Sequence, residues 1–120
     1  PHGSTAANGA LDVTGEVMIT GSAHIENTIA LKQAAGDPST LDGYAHIYAK
    51  NDAGDAELFV RDEAGNVTKI SPHNSQGEWE YFSKNTKTGK VFRVNMEKMI
   101  RKLEEITGES FIEEWHEDIK

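Results

Sequence analysis

Five histidines, His2, His24, His46, His73 and His116, are the first side chains to weigh for metal or proton chemistry. No two stand at i, i+2 or i, i+4, the spacings that put two imidazoles on one strand or helix face. A ring of one histidine from each of several copies about a symmetry axis could hold an ion; ordinary surface positions are the simpler account. Asn51, Asp52, Asp55 and Glu57 gather oxygen ligands around one turn, the ligand type calcium takes. Their spacing departs from the EF-hand pattern, and Asp and Asn are what tight turns use anyway. Ser83 or Ser110 with a nearby lysine would pair a nucleophile with a base, but no third orienting group or oxyanion motif accompanies them. No Gly-rich phosphate loop, zinc-finger spacing or His-Glu-x-x-His occurs. The expectation is a non-enzyme with no catalytic residue, no cofactor and no metal. Trp79 and Trp115 read as packing anchors rather than ligand platforms.

The strongest structural signal lies in Glu78 to Ile106. Glu78–Lys84 and Lys90–Val94 alternate as two strands joined at Thr88-Gly89. Alternation puts Trp79 and Tyr81 on one face and Phe92 and Val94 on one face of the return strand. A lone hairpin is marginal in water, so this one must pack on something. Directly after it, Asn95 is a good N-cap and Glu97 places an acid in the first turn. Val94 and Met99 have the spacing of a hydrophobic staple. Met96, Met99, Leu103 and Ile106 recur at helical spacing, widened by Ile100, and Gly108 closes the helix. Leu and Ile at the two seam positions lean toward three or four strands. Ser110-Phe-Ile-Glu113 reads as a capping box opening a short second helix through Trp115.

The rest of the chain offers little core. Of 120 residues, 37% are hydrophobic and only 8% aromatic. Small or elongated chains of that kind need a staple, and the absence of cysteine leaves oligomerisation. The net charge of −8 argues against nucleic acid and anionic membranes as partners. No apolar run approaches a membrane span of about 18 residues, and no secretory signal pattern is present. Charge is segregated: residues 84–102 carry seven basic groups and one acid, residues 103–118 seven acids and no Lys or Arg. Either both are solvated faces, or the acidic tail lies across a basic hairpin, its own or a neighbour's.

Upstream, Gly9, Gly15 and Gly21 recur every six residues, with Leu11-x-Val13, Val17-x-Ile19 and Ala23-x-Ile25 between and after them. Period-two alternation broken by glycine predicts short strands and bends. Such units cover their apolar side only when stacked, on copies of themselves or in a plain meander. Asp37 to Gly43 reads as a loop. Tyr44–Lys50, Glu57–Arg61 and Val67–Ser71 form an expected meander. Its turns, Asp52-Ala-Gly-Asp and Glu63-Ala-Gly-Asn, are near copies eleven residues apart. Both suit a type I turn with glycine in the left-handed position. Ser71 to Gly77 follows as a linker.

The segment Ala10-Leu-Asp-Val-Thr-Gly-Glu-Val-Met-Ile-Thr-Gly21 resembles segments of bacteriophage tail fibres and tailspikes. Gly43-Tyr-Ala-His-Ile-Tyr-Ala-Lys-Asn-Asp52, with Ala56 to Ser71, is similar to a module near the ends of phage-like structural proteins. The resemblance covers about residues 10–73 and implies an interwoven homotrimer, a virion or surface location and no cofactor. Some such proteins end in a self-cleaving peptidase, whose catalytic motif has no match here.

These readings combine into a mainly β chain with a C-terminal α-helical cap, in an intertwined homotrimeric fibre with a triple β-helix or β-prism-like stalk. Residues 1–8 are expected to be disordered or carried over from expression, 9–43 to form the Gly-punctuated stalk, 44–73 the β-meander, and 74–120 the hairpin and helix that lock the trimer. Trp79, Tyr81, Phe92, Met96, Met99, Leu103 and Ile106 are the expected trimer interface. The function expected is a structural, non-enzymatic segment of a tail fibre or surface appendage. The alternative is a tip that binds a host receptor or glycan, carried by the 37–43 loop and exposed aromatics. An enzyme fragment and a monomeric β-sandwich are the remaining competitors.

Overall fold

The computed structural model describes residues 11–118, so residues 1–8, expected to be disordered or carried over from expression, lie outside the described residues. Two compact units divide at Ala30/Leu31, upstream of the expected stalk boundary at 43. In the second unit the chain is mainly β: one open, mixed, six-stranded sheet and one helix.

Strand β1, Gln33–Ala34, lies parallel to β2, His46–Asp52, with Gln33 opposite Ala49. Strands β3, Asp55–Arg61, β4, Asn66–Lys69, β5, Glu80–Asn85, and β6, Val91–Asn95, follow antiparallel in chain order. The meander and hairpin expected from alternation are both present. The linker at 71–77 does not divide them: β4 pairs with β5, Val67 opposite Lys84. Glu80 N donates to Pro72 O across the linker, at 2.8 Å.

The two near-copy turns differ. Ala53 and Gly54 both have positive φ, 55° and 98°, so β2 and β3 join through a two-residue turn with Asp52 opposite Asp55. This is the primed geometry that matches strand twist, not the expected type I. Between β3 and β4 only Gly65 is left-handed, with φ 91°. Its amide donates to Asp62 O at 3.2 Å, and Asp62 N donates to Asn66 O at 3.0 Å, as the longer expected turn requires. An added Cβ on Gly65 would stand 2.9 Å from Thr86 Oγ1, so the glycine also lets the β5–β6 loop close against this turn.

Helix α1 runs Met96–Thr107. Asn95 accepts from Lys98 N at 2.9 Å, and Gly108, left-handed at φ 74°, donates to Glu104 O, so both expected caps form. The second helix does not form: residues 108–118 have no regular secondary structure. Glu104 takes the amides instead, its Oε2 accepting from Phe111 N at 2.6 Å and Ile112 N at 3.0 Å. Those amides would be among the unpaired donors of a new helix's first turn. With a carboxylate from the preceding helix already on them, the local propensity has less to gain.

Residues 11–30, taken alone, hold no strand. Bends fall at Thr14-Gly15, Thr20-Gly21 and Glu26-Asn27, keeping the six-residue period. The intervening stretches form no ladder, and Val17, Met18, Ile19, Ile25 and Ile29 are exposed.

Candidate functional site: an open apolar face

Pairing register assigns every strand residue to one of two sheet faces. On the first, Tyr48 lies opposite Phe59, Phe59 opposite Lys69, Lys69 opposite Phe82 and Phe82 opposite Arg93. Phe59 and Val67 are fully buried, and Tyr48 stacks on Phe59 with ring centroids 5.9 Å apart. Among the described residues Tyr48, Phe59 and Val67 form the buried core cluster, with Phe82 packed against it.

Charge closes the rest of that face. The Lys69 ammonium is almost wholly buried and spends its three protons on Asp52 Oδ2 at 2.9 Å, Glu80 Oε2 at 3.0 Å and His73 O at 2.6 Å. Burial pulls the Lys69 pKa down, but the two carboxylates outweigh it and hold the pKa above its ordinary value. Arg93 Nη1 adds contacts of 3.1 and 3.2 Å to Glu80 and sits over the Phe82 ring. Toward the β1 edge, Asp37 accepts from Tyr48 Oη at 2.8 Å, Lys50 Nζ at 2.6 Å and Lys84 Nζ at 2.8 Å. Burial raises the Asp37 pKa, yet those donors together bring it well below the carboxylate range. Burial, then the bond to Asp37, push the Tyr48 hydroxyl well above the usual phenol range. Asp37, at the start of the loop read as a candidate receptor contact, is thus held by its own sheet.

The chemistry weighed in the sequence is also dispersed. Asp52 faces Lys69, Glu57 accepts from the Ser71 hydroxyl, and Asn51 Oδ1 accepts from Gly54 N. Ser83 bonds the Thr68 hydroxyl at 2.8 Å, while the alternation turns Lys84 to the opposite face. Among the described residues no three His, Asp or Glu side chains converge to hold a metal. No helix of the described residues is long and apolar enough to cross a membrane.

The second face has no such closure. Across it runs the row Ile47, Val60, Thr68, Ser83, Phe92. Beside that row lie Leu58, Ile70, Tyr81 and Val94. Phe92 and Tyr81 meet edge to face, ring centroids 6.1 Å apart. Ile47, Ile70, Tyr81 and Phe92 are all exposed.

Helix α1 adds a second apolar surface, for none of its residues is buried. Met99, Ile100, Leu103 and Ile106 line a hollow of about 470 Å³ with almost no polar wall. All seven residues expected at the trimer interface therefore keep solvent-accessible surface in the single chain. Met96 is half-buried, and Trp79, Tyr81, Phe92, Met99, Leu103 and Ile106 are exposed. Trp79, with Ile100, Phe111 and Ile112, lines a groove between the helix and the tail.

Sequence reasoning missed Ile47, Leu58, Val60 and Ile70 as part of this surface. Their signal was present in the alternation of Ile47 with Ala49, and of Leu58 with Val60. It became readable only once β4–β5 pairing made one sheet of the two segments. Exposed apolar side chains grouped in this way make this face the candidate interaction surface. No protein-family model, curated protein or solved structure matches this chain.

Proposed function

We propose that the chain is a structural, non-enzymatic segment of a trimeric fibre, of the kind found in phage tails or surface appendages, located on a virion or outside a cell. The C-terminal hairpin and helix bring copies together through the open apolar face. The stretch 11–30 extends the same assembly, its exposed apolar side chains covered by the equivalent stretch of neighbouring copies. The observation that carries this reading is the exposure of Tyr81, Phe92, Met99, Leu103 and Ile106, between 43% and 71%, beside a core cluster of three side chains, Tyr48, Phe59 and Val67, among the described residues. A helix of 12 residues is marginal by itself and is normally held by packing of its apolar stripe.

Sedimentation equilibrium of the native protein tests this directly. The expected mass is three times 13.2 kDa. A single-chain mass at concentrations up to tens of micromolar overturns it.

A further inference from the structure

Part of the charge on the basic hairpin tip and on the acidic tail is left without an ionic partner among the described residues. Among the described residues, Lys84 bridges to Asp37 and Arg93 to Glu80. Lys87 reaches only a carbonyl, Glu63 O, and Lys90 reaches no carboxylate. In the tail, Glu114 meets Arg101 Nη2 at 3.2 Å, while Glu113, Glu117 and Asp118 meet no cation among the described residues.

Intrachain geometry keeps the two apart. Glu104 holds the amides of Phe111 and Ile112, and Arg101 holds Glu114, so residues 111–114 run back along α1 toward its N-cap. That cap, Asn95, sits at the end of the hairpin opposite its lysine tip. The five residue steps of β5 separate the two ends by about 17 Å. Beside the tip lies a hollow of about 310 Å³, floored by Tyr81 and Phe92 and rimmed by Lys90, Asn66 and Ser83. In the tail, Trp115 is 68% exposed and lies between the free carboxylates of Glu113 and Glu117.

We infer that the tail of one copy crosses to the next, seating Trp115 in the Tyr81–Phe92 hollow with Glu113 and Glu117 against Lys87 and Lys90. The inference rests on the assembly proposed above and adds its connectivity: each copy gives a tail and receives one, which closes a ring when the rotation between copies permits. An indole suits an aromatic floor, where edge and stacked contacts add to the area buried. The surrounding charges steer docking and fix its register more than they add affinity.

The test co-expresses two chains. One carries Lys87→Arg and Lys90→Arg, which keeps the charge but removes the amines a carbodiimide couples. The other carries Glu113→Gln and Glu117→Gln. Neither chain can join residue 87 or 90 to residue 113 or 117 within itself, so in a mixed oligomer that particular amide can form only between copies. Carbodiimide coupling followed by peptide mass spectrometry should find Lys87 or Lys90 joined to Glu113 or Glu117 in the wild type and in the co-expressed pair. Coupling in the wild type that vanishes in the co-expressed pair places the contact within one chain and overturns the inference. Absence of coupling in both, with an oligomeric mass, overturns it while leaving the assembly intact. A single-chain mass removes both. As an independent reading, Trp115→Ala should weaken association roughly tenfold or more if the indole is an anchor; an unchanged association constant also overturns the docking.

Discussion

The two faces of one sheet meet the same shortage of apolar residues in opposite ways. On the first, three buried apolar side chains are closed over by Lys69, Glu80 and Arg93 at one side and Asp37, Lys50 and Lys84 at the other. On the second, Ile47, Ile70, Tyr81 and Phe92 stand open, and α1 adds Met99, Leu103 and Ile106. Long basic side chains can cover a small core with their stems while their heads find carboxylates, so the first face is finished within the chain. The second face mixes Ile, Leu, Val, Tyr and Phe with Thr68 and Ser83 but has no charged strand residue, so it has no comparable means of closing itself. The difference teaches where each class of substitution should act: on the closed face in the stability of one chain, on the open face in association.

The largest effect expected is at Glu80. Glu80→Ala strips the buried Lys69 ammonium and Arg93 of a shared acceptor, leaving charge short of partners inside the sheet. Breaking a buried pair from one side costs about 3–5 kcal/mol, a large share of a typical stability of roughly 5–15 kcal/mol. Urea unfolding should show the midpoint collapse. A wild-type midpoint removes the claim that charge holds this face.

Leu103→Asp is the counterpart on the open side. Leu103 is 47% exposed in the single chain, so its fold should tolerate the change within about 0.5 kcal/mol. Association should fall by about 2 kcal/mol or more, because a carboxylate would be buried among Met99 and Ile106 of the copies. Light scattering and far-UV circular dichroism on one sample separate these effects. Wild-type mass in the variant moves the interface off the helix; helicity below that of the wild type diluted to the same single-chain mass means the helix face was closed after all.

Acid should act most strongly on the closed face. Asp37 is depressed in the folded chain by Lys50, Lys84 and Tyr48. Its stabilisation is therefore fully present above its unfolded pKa of about 4 and is lost as pH falls toward the folded value. Asp37→Asn should flatten that acid limb and cost roughly 1–3 kcal/mol at neutral pH, since it weakens hydrogen bonds to charged groups. The check is urea midpoints from pH 7 down to 3 for both proteins. Parallel curves show that Asp37 does not carry the acid limb.

How much of this was readable from the residues follows the range of the interactions involved. The helix was legible nearly to the residue because cap, apolar stripe and closing glycine lie within fourteen positions, Asn95 to Gly108. The hairpins were legible for the same reason. The type of the Asp52-Ala53-Gly54-Asp55 turn was not, because it puts Ala53 at positive φ, which a propensity rule assigns to glycine first. The second helix failed because Glu104, outside the segment, took its amides. The closed face was least legible. Lys69 and Glu80 look solvent-facing in isolation, and only pairing across three strands sets them against Phe59 and Phe82. The one local sign was Lys69 sharing a face with Val67, an apolar rank with a charge in it. The strap through Asp37 depends on a parallel pairing of two residues, too short to leave a pattern.

The smallest effect is expected where the two kinds of surface join. Asn95 ends β6 and caps α1, its Oδ1 accepting from Lys98 N at 2.9 Å and its Nδ2 donating to Glu78 Oε1 at 3.0 Å. Bonds from Asn74 and Asn95 hold the Glu78 carboxyl below its usual range. Asn95→Ala should cost about 1 kcal/mol, the usual value of an N-cap. Asn95→Asp separates the two bonds, for it keeps the cap but turns a second carboxylate oxygen toward Glu78. It should match the wild type more nearly below about pH 4, where one of the pair is protonated, and fall behind at neutral pH. If helix and sheet respond independently, amide exchange in Met96–Ile100 will quicken while Phe59 and Val67 keep their protection. If protection drops in both, Asn95 is a brace between them, and the open face stands on a platform the closed face supplies.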